Sequence, residues 1–190
     1  LVAADDQIMR RFIDQPELKL WLDTDIEFGA PRANMTLGLL TETGLLSAEN
    51  QAQAILLQRL VNDSLSAVTY PAYLAGLGYS INVSDSGFAI SVNGYQDKQM
   101  ALLKTVTERL FSTAISTERF TTIKSSLIKD WRNSSKDKPY LQALGALGDT
   151  FLSGSWPATT LADALEPINL DALLQWRRQQ LKTVGVIAAL

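Results

Sequence analysis

A strand–turn–strand pattern over residues 78–95 constrains the fold of this chain more than any other feature. Apolar and small polar residues alternate on both sides of the turn Asp85-Ser86-Gly87. Because successive side chains of a strand point to opposite faces, the pattern predicts an antiparallel hairpin with one apolar and one polar face. The apolar positions are Tyr79, Ile81, Val83, Phe88, Ile90 and Val92.

Alternation and helical spacing also predict the elements on either side of this hairpin. Further strands are expected over residues 18–22, 33–41 and 184–189, with a loop over residues 23–31. A first helix is expected to begin after the N-cap Ser47. The other helices are expected over residues 97–111, 117–132 (capped by Ser116) and 139–152, shortly after Pro157, and from Leu170 (capped by Asn169).

The first helix contains a proline and ends near a glycine pair. Pro71 is expected to interrupt it, with a short second piece running to Leu77, because proline lacks the backbone N–H of a regular helix. The run Gly76-Leu77-Gly78 lacks the third glycine of a dinucleotide-binding loop and precedes a strand. We therefore interpret it as a helix stop with a left-handed residue.

The order of these elements indicates the fold class and the domain organisation. Strands joined by hairpins and followed by a block of helices are typical of the α+β class. We expect a largely antiparallel sheet with helices packed on one face. Residues 1–15 are expected to form a helical or loose lead-in, and residues 16–190 a single module. The start at Leu1 and the apolar run ending at Leu190 are interpreted as those of a segment excised from a longer protein, with a processed mature chain as the alternative.

Neither histidine nor cysteine occurs in the chain. The commonest zinc ligands, the usual general base and the thiol nucleophile are therefore missing, and a disulfide scaffold is excluded. The acidic run over residues 23–27 lacks the glycine and the distal glutamate of a calcium loop, so we interpret it as a polar loop. Ser125 and Ser126, near Lys124 and Lys129, fall on a predicted helix and are interpreted as surface residues. We predict no catalytic residue, no metal ligand and no cofactor within the chain.

Charge and hydropathy exclude two classes of partner. The formal net charge of −3 argues against nucleic-acid binding. Lys124, Lys129 and Arg132 lie close in sequence, but we interpret them as the exposed face of a helix. No apolar run approaches the ~20 residues of a membrane-spanning helix, so no membrane partner is expected.

The polar side of three predicted strands carries small uncharged residues where an exposed sheet usually carries Lys, Glu and Arg. This composition indicates a face that looks into a partly enclosed polar space. An ordinary solvent-exposed face of a chain with 19% charged residues is the alternative. We name the candidate set the neutral polar face: Asn34, Thr36, Ser80, Asn82, Ser84, Ser91 and Asn93.

An ordered series of motifs across residues 16–182 resembles the middle (third) domain of the insulysin–pitrilysin family of zinc metallopeptidases, the inverzincins. The longest motif is the run over residues 70–81, Tyr-Pro-Ala-Tyr-Leu-Ala-Gly-Leu-Gly-Tyr-Ser-Ile. The others are Leu20-Trp21, Phe28, Pro31-Arg32-Ala33, Asp63-Ser64-Leu65, Gly87, Gly94-Tyr95-Gln96-Asp97-Lys98, Glu118-Arg119-Phe120, Lys138-Pro139-Tyr140, Trp156, Leu165, Ile168 and Asp171.

This resemblance implies a function that the residues alone do not. Enzymes of this family consist of four related α+β modules that enclose a chamber for peptides, and zinc is held by an inverted His-x-x-Glu-His motif in the first module. The third module has no such motif, packs on the fourth and helps to wall the chamber. We therefore expect a non-catalytic middle domain whose partners are the other modules of its parent chain and peptide substrates. The resemblance places zinc in the parent enzyme and none in this chain.

Several alternatives stay open at the level of sequence. A free-standing inactive binding module of the same fold would also lack catalytic residues, and an unrelated enzyme with paired carboxylates is a third possibility. The strand over residues 184–189 ends without the Gly-Asn pair usual in the family, which leaves the subfamily open: pitrilysin, insulysin or a cofactor-maturation peptidase. The substrate, the oligomeric state and the compartment are equally open, although a pitrilysin-like parent would imply the periplasm.

Overall fold

The computed structural model describes residues 10–15, 18–22, 32–41, 45–134 and 156–189. The strands are β1 (Arg10–Gln15), β2 (Leu18–Leu22), β3 (Arg32–Thr41), β4 (Gly78–Ser84), β5 (Gly87–Tyr95) and β6 (Val184–Ala189). The helices are α1 (Ala48–Leu74), α2 (Gln99–Ser112), α3 (Thr117–Asn133), α4 (Ala158–Leu165) and α5 (Leu170–Gln180), with a 3₁₀ turn at Gln96–Lys98 before α2.

All six strands form one sheet in the order β1-β2-β6-β3-β5-β4. Strands β2 and β6 pair in parallel, and every other neighbouring pair is antiparallel. The last strand of the chain therefore lies inside the sheet, between two strands from the first quarter of the sequence. The predicted α+β class with a largely antiparallel sheet is confirmed.

The hydrophobic core lies between the sheet and the helices. Ile81, Phe88, Ile90 and Val92 from the hairpin are buried, as the alternation predicts. They join buried residues of all five helices in one cluster.

Helix α1 does not stop at Pro71. It runs without a break from Ala48 to Leu74, so the predicted interruption is wrong. Pro71 lies only one turn from the end of the helix, and the missing N–H removes a single hydrogen bond while the carbonyl of Pro71 still accepts from Ala75 (3.1 Å). Gly76, with φ of 77°, is the predicted left-handed stop.

The start of the described chain also differs from the sequence-based expectation. Residues 10–15, expected to belong to a helical or loose lead-in, form β1 and pair with β2. The register shifts between Arg11 and Ile13, so a bulge at Phe12 breaks the alternation by which a strand is recognised. The predicted caps are confirmed: the side chains of Ser47, Ser116 and Asn169 accept from backbone N–H groups of their helices.

Some predictions lie outside the described residues. They are the lead-in over residues 1–9, the loop over residues 23–31 with its acidic run, and the helix over residues 139–152.

Candidate functional site

The neutral polar face occupies the side of β3, β5 and β4 that points away from the helices. Strand register brings its members together: Thr36 lies opposite Ser91, and Ser91 lies opposite Ser80. In the adjacent rows, Asn34 faces Asn93, and Asn82 faces Ala89. Of the set, Ser91 is half-buried and the others are exposed. The structure therefore assembles the seven residues into one continuous surface.

All four hydroxyl groups of this surface take part in hydrogen bonds. The hydroxyls of Thr36 and Ser91 lie 3.1 Å apart, and the Asn82 amide donates to the Ser80 hydroxyl over 3.3 Å. The Ser84 hydroxyl accepts from the backbone N–H of Ser86 (3.3 Å) in the hairpin turn. These hydrogen bonds hold the side chains in place. The two carboxamides of the set that take no part in them are those of Asn34 and Asn93.

Asn34 and Asn93 form the part of the face that is free to bind. They lie directly opposite each other on β3 and β5, and neither side chain makes a hydrogen bond to another of the described residues. The Asn93 amide lies over Gly78, where a Cβ atom would come within 2.6 Å of its Oδ1 atom. Glycine at this position of β4 therefore makes room for the amide.

The charge of this surface is concentrated at one end. Arg32 is the only charged residue in β3, β4 and β5, and its guanidinium lies 5.2 Å from the centre of the Tyr95 ring. Between this pair and the hairpin turn the face carries only uncharged groups, namely amides, hydroxyls and apolar side chains that include the exposed Leu40. Such a surface can exchange hydrogen bonds with a neutral polar ligand without selecting for ligand charge.

Gln99, which the sequence reasoning missed, fixes the end of the face that carries the two free amides. Its side chain is fully buried, and its Nε2 atom donates to the carbonyls of Ala33 (2.6 Å) and Gly94 (2.7 Å). These carbonyls belong to the residues next to Asn34 and Asn93. The only sequence signal was its position after the family motif Gly94-Tyr95-Gln96-Asp97-Lys98, because a buried glutamine has no periodic signature.

The described residues contain no arrangement typical of a metal or acid–base site. No group of three or more Asp or Glu residues within them could hold a metal ion, and no acidic side chain among them is buried. Ser125 and Ser126 are exposed on α3, as predicted. The described part of the chain thus offers no buried carboxylate pair for hydrolytic chemistry.

Two of the three basic residues of α3 contact the segment at the end of α4. The Nζ atom of Lys124 donates to the carbonyls of Glu166 (2.7 Å) and Ile168 (2.6 Å), and partial burial lowers the pKa of this lysine. Arg132 forms ion pairs with Glu166 (2.7 Å) and Asp163 (3.6 Å). Lys129 and Arg132 are exposed, as predicted, whereas Lys124 is half-buried against the residues that follow α4.

No described helix is both long enough and apolar enough to cross a membrane. The molecule is an α+β module with a neutral polar sheet face, and its described residues contain no group that could hold a metal ion. Comparison with known proteins identifies the kind of module. Residues 5–164 match the family model described as the middle or third domain of peptidase M16. The chain belongs to the peptidase M16 family and contains its middle domain.

Relatives and solved structures agree with this assignment. The chain is 30% identical over 172 residues to the human insulin-degrading enzyme, covering 90% of this chain and 17% of the relative. It is 27% identical over 167 residues to the Drosophila melanogaster insulin-degrading enzyme, covering 88% of this chain and 17% of the relative. The crystal structure of pitrilysin shares the fold, with a TM-score of 0.85 at 20% identity over 95% of this chain and 20% of that one. The chain thus spans about a fifth of the length of these proteins.

Proposed function

We propose that this chain is a non-catalytic domain of a chambered zinc metalloendopeptidase that degrades peptides. In this proposal the domain forms part of the chamber wall and packs against neighbouring modules of the same parent chain. Membership of the M16 family supports the parent activity. The lack of histidine and cysteine supports the location of zinc and of the acid–base groups in another module.

The neutral polar face is the observation that carries the proposal. A peptide backbone presents alternating N–H and C=O groups, and a carboxamide can pair with both. The free amides of Asn34 and Asn93 lie side by side on a face without charge between Arg32 and the turn. A chamber wall of this kind binds the peptide through its backbone, so that peptides of many different sequences can bind.

The first test separates this domain from the catalytic machinery. The 190-residue chain should neither bind zinc nor cleave peptides, because its sequence contains no histidine or cysteine to hold the metal. The longer polypeptide with its neighbouring domains should do both. Zinc titration by calorimetry and a fluorogenic peptide assay measure the two properties. Robust peptidase activity from the 190-residue chain would contradict the proposal, and a parent gene without further domains would favour the free-standing binding module.

The second test addresses the neutral polar face in the full-length parent enzyme. Replacing Asn34 and Asn93 together by leucine removes the two available amides without touching the zinc site. We expect KM for an unstructured peptide to rise about 3- to 30-fold with little change in kcat, because a few hydrogen bonds of ~1 kcal/mol each are lost from uniform binding.

A matched variant controls for surface changes of the same kind. Gln175 and Gln179 are exposed amides on α5, on the other side of the module from the neutral polar face. Their double replacement by leucine should leave KM unchanged. An equal KM for both double variants and the wild type would exclude the neutral polar face from substrate binding.

A further inference from the structure

An apolar groove lies between the C-terminal part of α1 and the first turns of α2. Its volume is about 340 Å³. The lining is mostly apolar, and it includes Val68, Pro71, Ala72, Ala75, Ala101 and Leu102. We call it the α1–α2 groove. A concave apolar surface of this size matches the range in which proteins bind ligands or partner side chains.

The helical segments that border the α1–α2 groove also expose large apolar side chains. Tyr73 and Leu74 near the end of α1 are 72% and 68% exposed, and Met100 in the first turn of α2 is 58% exposed. Tyrosine and methionine are enriched in protein interfaces, and contiguous exposed apolar surface on a small domain marks a site of association. These exposed side chains beside the groove favour a folded protein surface over a small solute as its occupant.

One charged residue, a lysine, is among the described residues that line the groove. Lys98 lines it, and this lysine forms no ion pair with any of the described residues. The described residues that line the groove include no carboxylate, and Asp97, although next in the chain, is not among them. The first turn of α2 carries neither an acidic residue nor a side-chain cap. A complementary occupant therefore presents an apolar side chain with a carboxylate close to it.

We propose that the occupant of the α1–α2 groove is an adjoining domain of the same polypeptide, which inserts an apolar side chain into the groove and places an acidic residue beside Lys98. This inference rests on the proposed function, in which the chain is one module of a longer enzyme. The matched family model is itself a middle domain, and the chain covers only 20% of pitrilysin, so such proteins have domains available to fill the groove. A second copy of the chain and a solvent-filled groove are the competing outcomes.

The test places a photo-crosslinking residue in the groove of the full-length parent. p-Benzoylphenylalanine replaces Ala101, which lines the groove and is exposed, so the module tolerates the change. We expect an intramolecular cross-link to a segment outside these 190 residues that contains an acidic residue. The same probe at Ser125, exposed on α3, is the matched control and should give at most a tenth of that yield.

A charge exchange then tests the chemistry of the contact. Lys98→Glu should raise the rate of limited proteolysis between domains up to about five-fold, since a surface ion pair contributes at most ~1 kcal/mol. Replacing the acidic residue found by the cross-link with lysine should restore the rate in the Lys98→Glu background. Lys129→Glu on α3 is the control and should have no effect.

Three outcomes would overturn the inference. They are a cross-link between two polypeptides, a yield no higher than at Ser125, and a failure of the charge exchange to restore resistance. If the parent is an active zinc peptidase and one of these outcomes occurs, only the groove assignment fails. If the parent has no further domain, the proposed function fails first.

Discussion

At the scale of single residues, Gln99 is a buried polar side chain that joins two strands of the sheet. It is buried, and it bridges the carbonyls of Ala33 and Gly94 on two adjacent strands. Its own Oε1 atom is buried and has no hydrogen-bond partner. Gln99→Met keeps the length of the side chain but removes both donors. We expect the free energy of unfolding to fall by about 1–3 kcal/mol, as measured by urea denaturation.

The control for this change is Gln175→Met on α5. Gln175 is exposed, so its replacement should change stability by less than about 0.5 kcal/mol. Equal midpoints for the Gln99 and Gln175 variants would show that the bridge does not hold the two strands.

The predictability of the site also depends on individual residues. Alternation alone assigned Asn34, Ser80 and Asn93 to one side of their strands, because the two-residue period fixes the face. It could not show that Asn34 lies opposite Asn93, since that requires the register between strands distant in sequence. Nor could it find Gln99, whose partners are backbone carbonyls that any sequence would supply.

At the scale of elements, Pro71 is a residue that the helix accommodates at a cost. Helix α1 continues for one turn beyond it, without the hydrogen bond that a residue with an N–H would donate. Pro71→Ala should therefore raise the free energy of unfolding by about 1 kcal/mol or more, seen as a higher thermal midpoint by calorimetry.

A second proline provides the comparison. Pro157 occupies the N-cap position of α4, where proline removes no helical hydrogen bond. Pro157→Ala should leave the midpoint unchanged or lower it slightly. A lower midpoint for Pro71→Ala would mean that contacts of the proline ring at the α1–α2 groove outweigh the missing hydrogen bond.

At the scale of the whole molecule, local patterns predicted most elements but not their arrangement. The apolar run that becomes β6 was recognised as a strand, yet its place between β2 and β3 follows from long-range pairing alone. β1 was missed because its bulge at Phe12 breaks the two-residue period. The fold class was predictable because it depends on the order of element types, whereas strand order depends on contacts between distant segments.

The sheet order leads to a prediction about local stability. β1 is an edge strand with a bulge, Phe12 is 73% exposed, and β2 joins the rest of the sheet through a short parallel pairing of residues 18–21 with residues 186–189. β5 lies between two antiparallel partners and has buried apolar residues. Amide protons of β1 should therefore exchange at least about 100-fold faster than the hydrogen-bonded amides of β5, measured by NMR-detected hydrogen exchange.

The other edge strand, β4, is the internal control for this comparison. Its Ile81 is buried, and the Gln58 side chain of α1 donates a hydrogen bond to the Ile81 carbonyl. Helix α1 therefore covers β4, and its amides should exchange at rates between those of β1 and β5. If β1 were protected as strongly as β5, the β1–β2 hairpin would unfold only with the whole domain. Faster exchange in β4 than in β1 would mean that the cover from α1 opens more readily than the β1–β2 pairing.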